Sequence, residues 1–560
     1  MTRGGVDAVD ALIVGSGAGG GPLALVLSQA GLRVLVLEKG PRLGRRDFST
    51  DEVGVLRRPS FAPDPEADPH TVVTARTAEP MRSTLGWTAC CVGGGTVHMG
   101  GFLYRFHPDD FRLQSRLGPR LEIADWPYAY EDLEPFYTRA EWEVGVAGDA
   151  GPPILAGARS RPHPLPPLDA HPLAASLEQA CRTRGLHPFA TPRSVNSRPY
   201  QGRPACGYCD TCAGYGCRLG AKGSVPETLL GRAEATGRCE VRAGAMVRSI
   251  TAGRGGRATG CVYADAGGNE REVAAGLVCV CCSAVESARL LLLSRSPRFP
   301  DGLANGSGRV GRHLQFHGVS GGLARFRRRD LPRLPLGSRH PFLGVSIMDH
   351  YFLPPATCEW PKGGLIRFDM SPLGPIATAE ALALAGRTPL WGEPLRRKLR
   401  DHFQEMSTVE VEVFHDFLPN EGTYVTLDPV VRDPWDLPAA RIHLEVPDHH
   451  RAAGGWVLDR AFEVLADLGA EDFLVTSRGG TCAYLAQGTC RAGRDPRISV
   501  LDEHCQAHEV PNLFVVDGSF MPTSGGAPPT LTILANAFRT ARHIVERWKS
   551  RDLAARTARS

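Results

Sequence analysis

The chain has 560 residues, 42% hydrophobic and 22% charged, with a formal net charge of +4. That length implies two or more domains around large cores, and the near-neutral balance excludes a one-signed field directed at nucleic acid or an acidic membrane. No stretch approaches the ~18 apolar residues of a membrane helix, and the first ten residues lack signal-peptide character, so a soluble cytoplasmic protein with no membrane span is expected.

Asp10–Val14 is an apolar strand, residues 18–30 form a small-residue helix, and Arg33–Leu37 is a second strand ending at Glu38. The turn between the first strand and the helix is Gly15-Ser-Gly17-Ala-Gly-Gly20. Gly15 permits the tight turn, Gly17 lets backbone N–H groups approach a pyrophosphate, and Gly20 lets the helix pack close on the strand. Glu38 stands where a carboxylate accepts hydrogen bonds from ribose hydroxyls. Together these make a dinucleotide site, without separating FAD from NAD.

Residues 41–80 read as irregular, 93–101 as a Gly-rich stretch, and the Pro-rich 151–173 as an ordered excursion. A helix is expected at 173–185, a β-meander over 239–282, and a helix through Glu286–Leu293. Across 408–427, Val409, Val411 and Val413 alternate with Glu410 and Glu412, and Pro-Asn-Glu-Gly follows at 419–422; this predicts an antiparallel hairpin with one wet face. The basic runs Arg325–Arg329 and Arg396–Arg400 read as solvated faces. A strand at Leu513–Val516, then Asp517-Gly518, and a helix from Leu531 to Trp548 close the chain. There is no internal repeat.

Cys206-x-x-Cys209-x-x-Cys212-x4-Cys217 places four of the 16 cysteines in one loop. The spacing suits a tetrahedral Zn site and equally an iron–sulfur cluster; the third reading is a loop of reduced thiols. The remaining cysteines are scattered or lie on apolar strands, as buried small hydrophobes do.

Three further segments carry a family likeness: Val92-Gly-Gly-Gly-Thr-Val-His98-Met-Gly-Gly101, Cys282-Ser-Ala-Val-Glu286-Ser-Ala-Arg-Leu-Leu, and the C-terminal run from Gly488-Thr-Cys-Arg491 through Asn512, Asp517-Gly518 and Pro529-Thr-Leu-Thr532. With the N-terminal fingerprint, the sequence resembles the glucose–methanol–choline (GMC) oxidoreductases almost end to end. Within that family it looks nearest to the Cys-rich sugar and gluconate dehydrogenase flavin subunits and to pyranose-oxidase-like members. The resemblance implies an α/β architecture: a Rossmann-like FAD-binding domain assembled from separated segments, plus an α+β substrate domain whose antiparallel sheet roofs the flavin. The corresponding division is 1–310 for FAD (with the excursion 111–195 and the Cys-rich loop 206–217), 311–480 for substrate, and 481–560 returning to FAD. The implied cofactor residues are Gly15, Gly17, Gly20, Glu38, Gly94, Gly95, His98, Asp517, Gly518 and Thr530. His98 also matches the flavinylated His of some relatives, so a covalent link and a packed His are both open. A cluster at Cys206, Cys209, Cys212 and Cys217 is implied by the dehydrogenase subunits, whose Cys spacing differs from this one.

The implied activity is oxidation of a CH–OH group of a polar alcohol, sugar or glycoside, with electrons passing to O2, an acceptor protein or a quinone. Hydride transfer from such a group also requires removal of the hydroxyl proton. The family's His position falls on Leu485 and its His/Asn position on Pro528, and neither side chain can take a proton. Tyr484, Gln487 (for orientation), or a His of the substrate domain such as His313, His317, His350 or His415 are the substitutes the sequence offers. His317 stands out because Val310-Gly-Arg-His-Leu-Gln-Phe-His317 resembles a flavin-proximal family segment. The break leaves two alternatives open: an altered flavoenzyme (oxidase, isomerase or lyase) and a flavin/iron–sulfur electron-transfer subunit.

Overall fold

The computed structural model describes residues 7–57, 61, 64–66, 68–77, 79–87, 89–119, 122–149, 151, 157–209, 211–331, 342–370, 374–384 and 388–550. Five parallel strands form the heart of the first sheet, in the order Cys239–Ala243, Val34–Glu38, Asp7–Val14, Glu270–Val280 and Leu513–Val515. Strand Val34–Glu38 is buried along its whole length, as a parallel strand covered on both faces must be. The long strand Glu270–Val280 shares its outer edge: its first half pairs antiparallel with Ala258–Ala264, its second half parallel with Leu513–Val515. The last strand therefore joins a sheet whose neighbours lie more than two hundred residues earlier. The expected meander is present as Met246–Ala252, Ala258–Ala264 and Glu270–Val280. Cys239–Ala243 is not part of it, because Gly244, at φ +67, turns the chain away and leaves that strand parallel to Val34–Glu38.

Helix Gly20–Gln29 follows the first strand, and helix Thr530–Lys549 packs against both it and helix Tyr130–Val144. The first and last of these lie where the sequence places them; Tyr130–Val144 falls inside the excursion, where no helix was predicted.

The second sheet is antiparallel throughout, in the order Asp472–Gln487, Gln315–Arg327, Met406–His415, Gly364–Met370, Val345–Ile347, Phe189–Ala190. Val409, Val411 and Val413 face helix Asp448–Asp467 and are buried there. Glu410, Glu412 and Phe414 alternate onto the other face. That face covers an interior cavity, so the alternation is as expected but the wet face is not an outer surface.

The predicted 408–427 hairpin does not form. Tyr424–Arg432 belongs to a third sheet, of order Tyr424–Arg432, Pro438–Leu444, His70–Thr74, Met81–Ser83. Its antiparallel partner is Pro438–Leu444, through a turn in which the Asp433 carboxylate accepts from the N–H groups of Trp435 and Leu437, both at 2.9 Å. Residues 416–423 are a crossover between sheets. His70–Thr74 and Met81–Ser83 likewise put strands within and just after a stretch predicted to be irregular.

Arg289 ties the third sheet to the first. Its guanidinium, 2% exposed, reaches Asp433 at 2.5 Å, Glu286 at 3.1 Å and the Pro438 carbonyl at 2.8 Å. Removing the cation would strand two carboxylates. Arg289→Met should therefore lower stability by about 3–5 kcal/mol, measured by denaturant unfolding; a loss within experimental error would refute this coupling role.

Candidate active site

The C-terminal ends of three parallel strands converge at Val14, Val280 and Val515, where open α/β sheets bind ligands. Side chains are excluded from the convergence. A Cβ on Gly15, whose φ is +94, would overlap the Cys281 carbonyl; one on Gly19 would overlap the Val516 carbonyl; one on Gly20 would overlap the Gly15 carbonyl. Gly17 differs: a Cβ there meets nothing nearer than Gly93 O and Gly94 Cα at 4.0 Å, so its empty side faces the cavity. The first turn of helix Gly20–Gln29 carries no acidic residue, which leaves its positive end to an anionic ligand.

Glu38 is held by the Ser16 N–H at 3.1 Å, the Ser16 hydroxyl at 2.6 Å and the Gly40 N–H at 3.0 Å. Burial raises its carboxyl above the usual range, against the pull of those donors. The Ser16 hydroxyl also accepts from the Gly93 N–H at 2.9 Å, fastening the Gly-rich stretch to the fingerprint. Beside Glu38, Lys39 lies 2.5 Å from Asp68 and 4.2 Å from the Trp87 ring centroid. Burial works against its charge, but Glu286 and Asp68 outweigh it and raise its pKa. The Trp87 indole N–H is buried in the cavity wall with no hydrogen-bond partner among the described residues.

Between these elements runs one cavity of about 570 Å³, within the range of ligand sites. It extends from Glu38 and Met246, past Gly15–Gly19, Gly94 and Gly95, to His98, Leu485 and Thr530. The glycine floor, the buried carboxylate and the unpartnered indole N–H fit a dinucleotide. The start of helix Thr530–Lys549 at the far end, with Pro529, Thr530 and Ile533 in the wall, suits a ring that gains negative charge on reduction.

Asp517 lines the same cavity. Its Oδ2 accepts from Ser283 N–H (3.0 Å) and the Ser287 hydroxyl, and its Oδ1 from Ser519 N–H (2.8 Å) and the Ser519 hydroxyl. Oδ2 thus staples the strand end to helix Ala284–Leu293, while Oδ1 caps the turn that follows.

At the ring end the structure brings Tyr484, Leu485 and Pro528 to one wall, together with Glu412 and Phe414 from the roof. The loop carrying Pro528 is fixed from the roof side: Tyr351 Oη accepts from Gly526 N–H at 2.8 Å, and Leu365 N–H donates to Gly526 O at 3.0 Å. Buried Lys362 lies beneath, 3.2 Å from Asp110 and 3.5 Å from Asp416. Tyr484 is 56% exposed at the rim. Gln487 and His317 are fully buried and lie outside the cavity lining. The Gln487 amide donates to Leu485 O at 3.4 Å, so it can orient that wall. His317 sits behind Phe414, ring centroids 6.3 Å apart, and burial drives its pKa down to about 3. It stands opposite cavity-lining Cys482 on the next strand without itself lining the cavity, and neither His313, His350 nor His415 lines it. His98 does, with its ring stacked on Phe61 at 5.1 Å.

The roof carries what the sequence reading missed. Arg367 donates to Glu412 Oε2 from Nε (3.0 Å) and Nη2 (2.5 Å), and from Nη1 to Asp369 at 2.7 Å, while Arg193 also pairs with Asp369. Both guanidiniums lie over Phe102, 4.0 and 4.4 Å from its centroid. Two glutamates at i and i+2 mark one face of a strand, but periodicity does not say what that face meets.

The Cys-rich loop abuts the same cavity, with Ala213 and Gly214 in the wall and Gly214 N–H donating to His98 O at 2.8 Å. Burial, with smaller contributions from the other three thiols, pushes Cys206 up to about 12. Cys209 is exposed, its sulfur 3.3 Å from the Thr211 hydroxyl. Among the described residues no group of three or more His, Cys, Asp or Glu is arranged to hold a metal ion. As they stand, the four thiols do not fit a tetrahedral metal site.

A strand–glycine–helix floor, a distant Asp-Gly strand end and a roofing sheet define a flavin-dinucleotide oxidoreductase. The chain belongs to the GMC oxidoreductase family, whose N-terminal model matches residues 19–319 and C-terminal model residues 419–537; it is an FAD-dependent enzyme acting on CH–OH donors. It is 34% identical over 543 residues to 6'''-hydroxyparomomycin C oxidase of Streptomyces lividus, covering 96% of this chain and 91% of that protein. It is 32% identical over 560 residues to 2-methyl-1,2-propanediol dehydrogenase of Mycolicibacterium austroafricanum, covering 97% and 96%. Among solved structures, an Aspergillus oryzae RIB40 formate oxidase superposes with a TM-score of 0.66 at 14% identity, covering 98% of this chain and 99% of that one. No helix among the described residues is long and apolar enough to cross a membrane.

The glycines make opposite predictions. Gly15→Ala should prevent folding. Gly17→Ala should fold with the thermal midpoint of the wild-type apoprotein but bind FAD roughly tenfold or more weakly, from about 1–3 kcal/mol of overpacking; equal FAD affinity would show that Gly17 does not face the cofactor.

Proposed function

We propose that the enzyme oxidises a primary hydroxyl of a small polyol or sugar-like alcohol to the aldehyde. The observation that carries this reading is one cavity joining a dinucleotide floor to a roof strand whose Glu412 enters the lining, backed by the Arg367–Asp369–Arg193 ion pairs, a polar point suited to a hydroxylated substrate. The relatives support it. Of the two hydroxyls in 2-methyl-1,2-propanediol, only the primary one sits on a carbon bearing hydrogen, and the aminoglycoside relative is named for a hydroxylated 6''' position.

When bound, FAD supplies the hydride acceptor. In this reading Gly15, Gly17, Gly94 and Gly95 leave room for its phosphates, Glu38 takes the ribose, and His98, Gly518 and Thr530 border its ring, with His98 packed and not bonded. Residues 1–310 and 481–560 carry the cofactor, and 311–480 the substrate face. Strand Asp472–Gln487 spans that boundary, so the two segments share a strand of the roofing sheet. Tyr484 shields the rim, and Leu485 and Pro528 exclude water. The sixteen free thiols suit a reducing, cytoplasmic setting.

The test is anaerobic mixing of the purified holoenzyme with 2-methyl-1,2-propanediol and with 6'''-hydroxyparomomycin C. At least one should bleach the flavin and give a product two hydrogens lighter. Bleaching by neither refutes the substrate reading, and a product of unchanged mass marks an isomerase. Reoxidation by O2 or by a quinone then identifies the electron acceptor.

A second reading concerns the Cys-rich loop, for which we propose a metal or iron–sulfur occupant. Buried Lys222 supports it: its ammonium donates only to carbonyls, of Cys212 and Tyr215 at 2.8 Å and Val97 at 3.5 Å. Cys212, Cys217 and Cys209 lie close enough to raise the Lys222 pKa against the burial that lowers it, although Cys209 must turn inward to join the other thiols. Protein purified without oxygen should contain iron or zinc, lost in Cys212→Ser; neither metal in wild type refutes the reading.

A further inference from the structure

Removing a hydroxyl proton needs an acceptor at the ring end of the cavity, and Leu485 and Pro528 cannot serve. Four lining groups there carry an ionisable atom: Glu412, Cys482, Tyr484 and His98. Burial pushes the Cys482 thiol up to about 11, so it holds its own proton. Tyr484 is half exposed at the rim, and His98 is stacked on Phe61.

We propose that Glu412 is the catalytic proton acceptor, replacing the family's missing imidazole from the roof strand Met406–His415. This rests on the alcohol-oxidising reading above. The hydroxyl O–H bond breaks with its proton passing to Glu412, the C–H bond breaks with its hydride passing to FAD, and the second C–O bond forms.

The geometry is that of an aimed carboxylate. Arg367 holds Oε2 with two donors, whereas no hydrogen bond within the described residues engages Oε1. Across the adjoining strand the residue opposite Glu412 is Gly321, which puts no side chain beside the carboxylate. The charges around it come from every neighbouring element. Arg367 and Asp369 lie on Gly364–Met370, Arg193 follows Phe189–Ala190, Cys482 is on Asp472–Gln487, and Glu410 lies two residues away on the same face. Three carboxylates thus share two guanidiniums, and one negative charge is left over.

Glu410 shows the consequence. Burial, helped by Glu412 and Asp369 against Arg367, raises its carboxyl to about 7. Because Glu410 and Glu412 lean on one guanidinium, at 3.6 and 2.5 Å, a proton entering either is felt by both. Glu410 therefore takes up its own proton near neutrality, on the same face as the Glu412 carboxylate. The sign follows: above about pH 7 Glu410 is ionised, and below it Glu410 carries a proton and the negative charge on that face falls.

Glu412→Gln keeps the shape and removes the acceptor. With FAD content and thermal midpoint as in wild type, it should reduce flavin about 10²–10⁴-fold more slowly with whichever of the two alcohols bleaches the wild type, and lose the rate decline below neutrality. Calorimetric binding of that alcohol to the oxidised holoenzyme should change less than about threefold, since a removed base differs from a removed anchor. Glu412→Asp should recover part of the rate, and decides the matter if Glu412→Gln misfolds. A wild-type reduction rate in Glu412→Gln, or binding lost in proportion to rate, overturns the proposal. Infrared difference spectra of the substrate-free holoenzyme separate its failure from that of the substrate reading. The carboxylic acid of Glu410 should form as the pH falls through about 7 in wild type, and at lower pH in Glu412→Gln; identical spectra in the two proteins overturn the placing of Glu412 on this face, and with it the proposal, whatever the two alcohols do.

Discussion

The structure depends on three backbone contacts that admit no side chain. Gly15 lies against Cys281, Gly19 against Val516, and Gly20 against Gly15, so the ends of strands Asp7–Val14, Glu270–Val280 and Leu513–Val515 meet within van der Waals contact. Close approach there places the helix N-terminus over the gap between strands and makes the gap a phosphate site. Asp517 stabilises the same junction by tying its strand end to Ser283, Ser287 and Ser519. Everything that positions a cofactor radiates from this convergence.

The substrate side obeys a different constraint. An antiparallel strand must show alternate residues to its two faces, and Met406–His415 uses this to put valines under helix Asp448–Asp467 and glutamates over the cavity. A charged face turned inward is costly unless paired, and the Arg193–Asp369–Arg367–Glu412 chain supplies that pairing. Both guanidiniums lie over Phe102. The substrate end is thus as rigid as the cofactor end, but its polarity comes from the roof instead of from the two positions the family uses.

How much of this was legible in the sequence depended on the range of the signal. Gly15, Gly17, Gly20 and Glu38 are local, and their strand–turn–helix–strand context marked them unambiguously. Leu513–Val516 and the closing helix were legible for the same reason, although only the structure shows that strand pairing with Val278–Val280. The 408–427 hairpin failed because alternation specifies faces and not partners; the Pro-Asn-Glu-Gly turn joins two sheets, while the working turn is set by Asp433. His317 was attractive by likeness to a segment, yet it stands beside Phe414 and opposite Cys482, the residues that line the cavity there, without lining it itself. Glu412 was visible as an alternating carboxylate and looked like solvated surface, since nothing local reveals that the solvent side of a strand is the roof of another domain.

Cofactor and proton are thus assigned to different elements, the glycine floor and a roof carboxylate. A crystal structure of the FAD-loaded enzyme with a bound alcohol decides this assignment. The alcohol oxygen is expected within hydrogen-bonding distance of Glu412, with Leu485 and Pro528 in apolar contact. An alcohol oxygen bonded instead to Tyr484 or His98, with Glu412 turned wholly into Arg367, would contradict it.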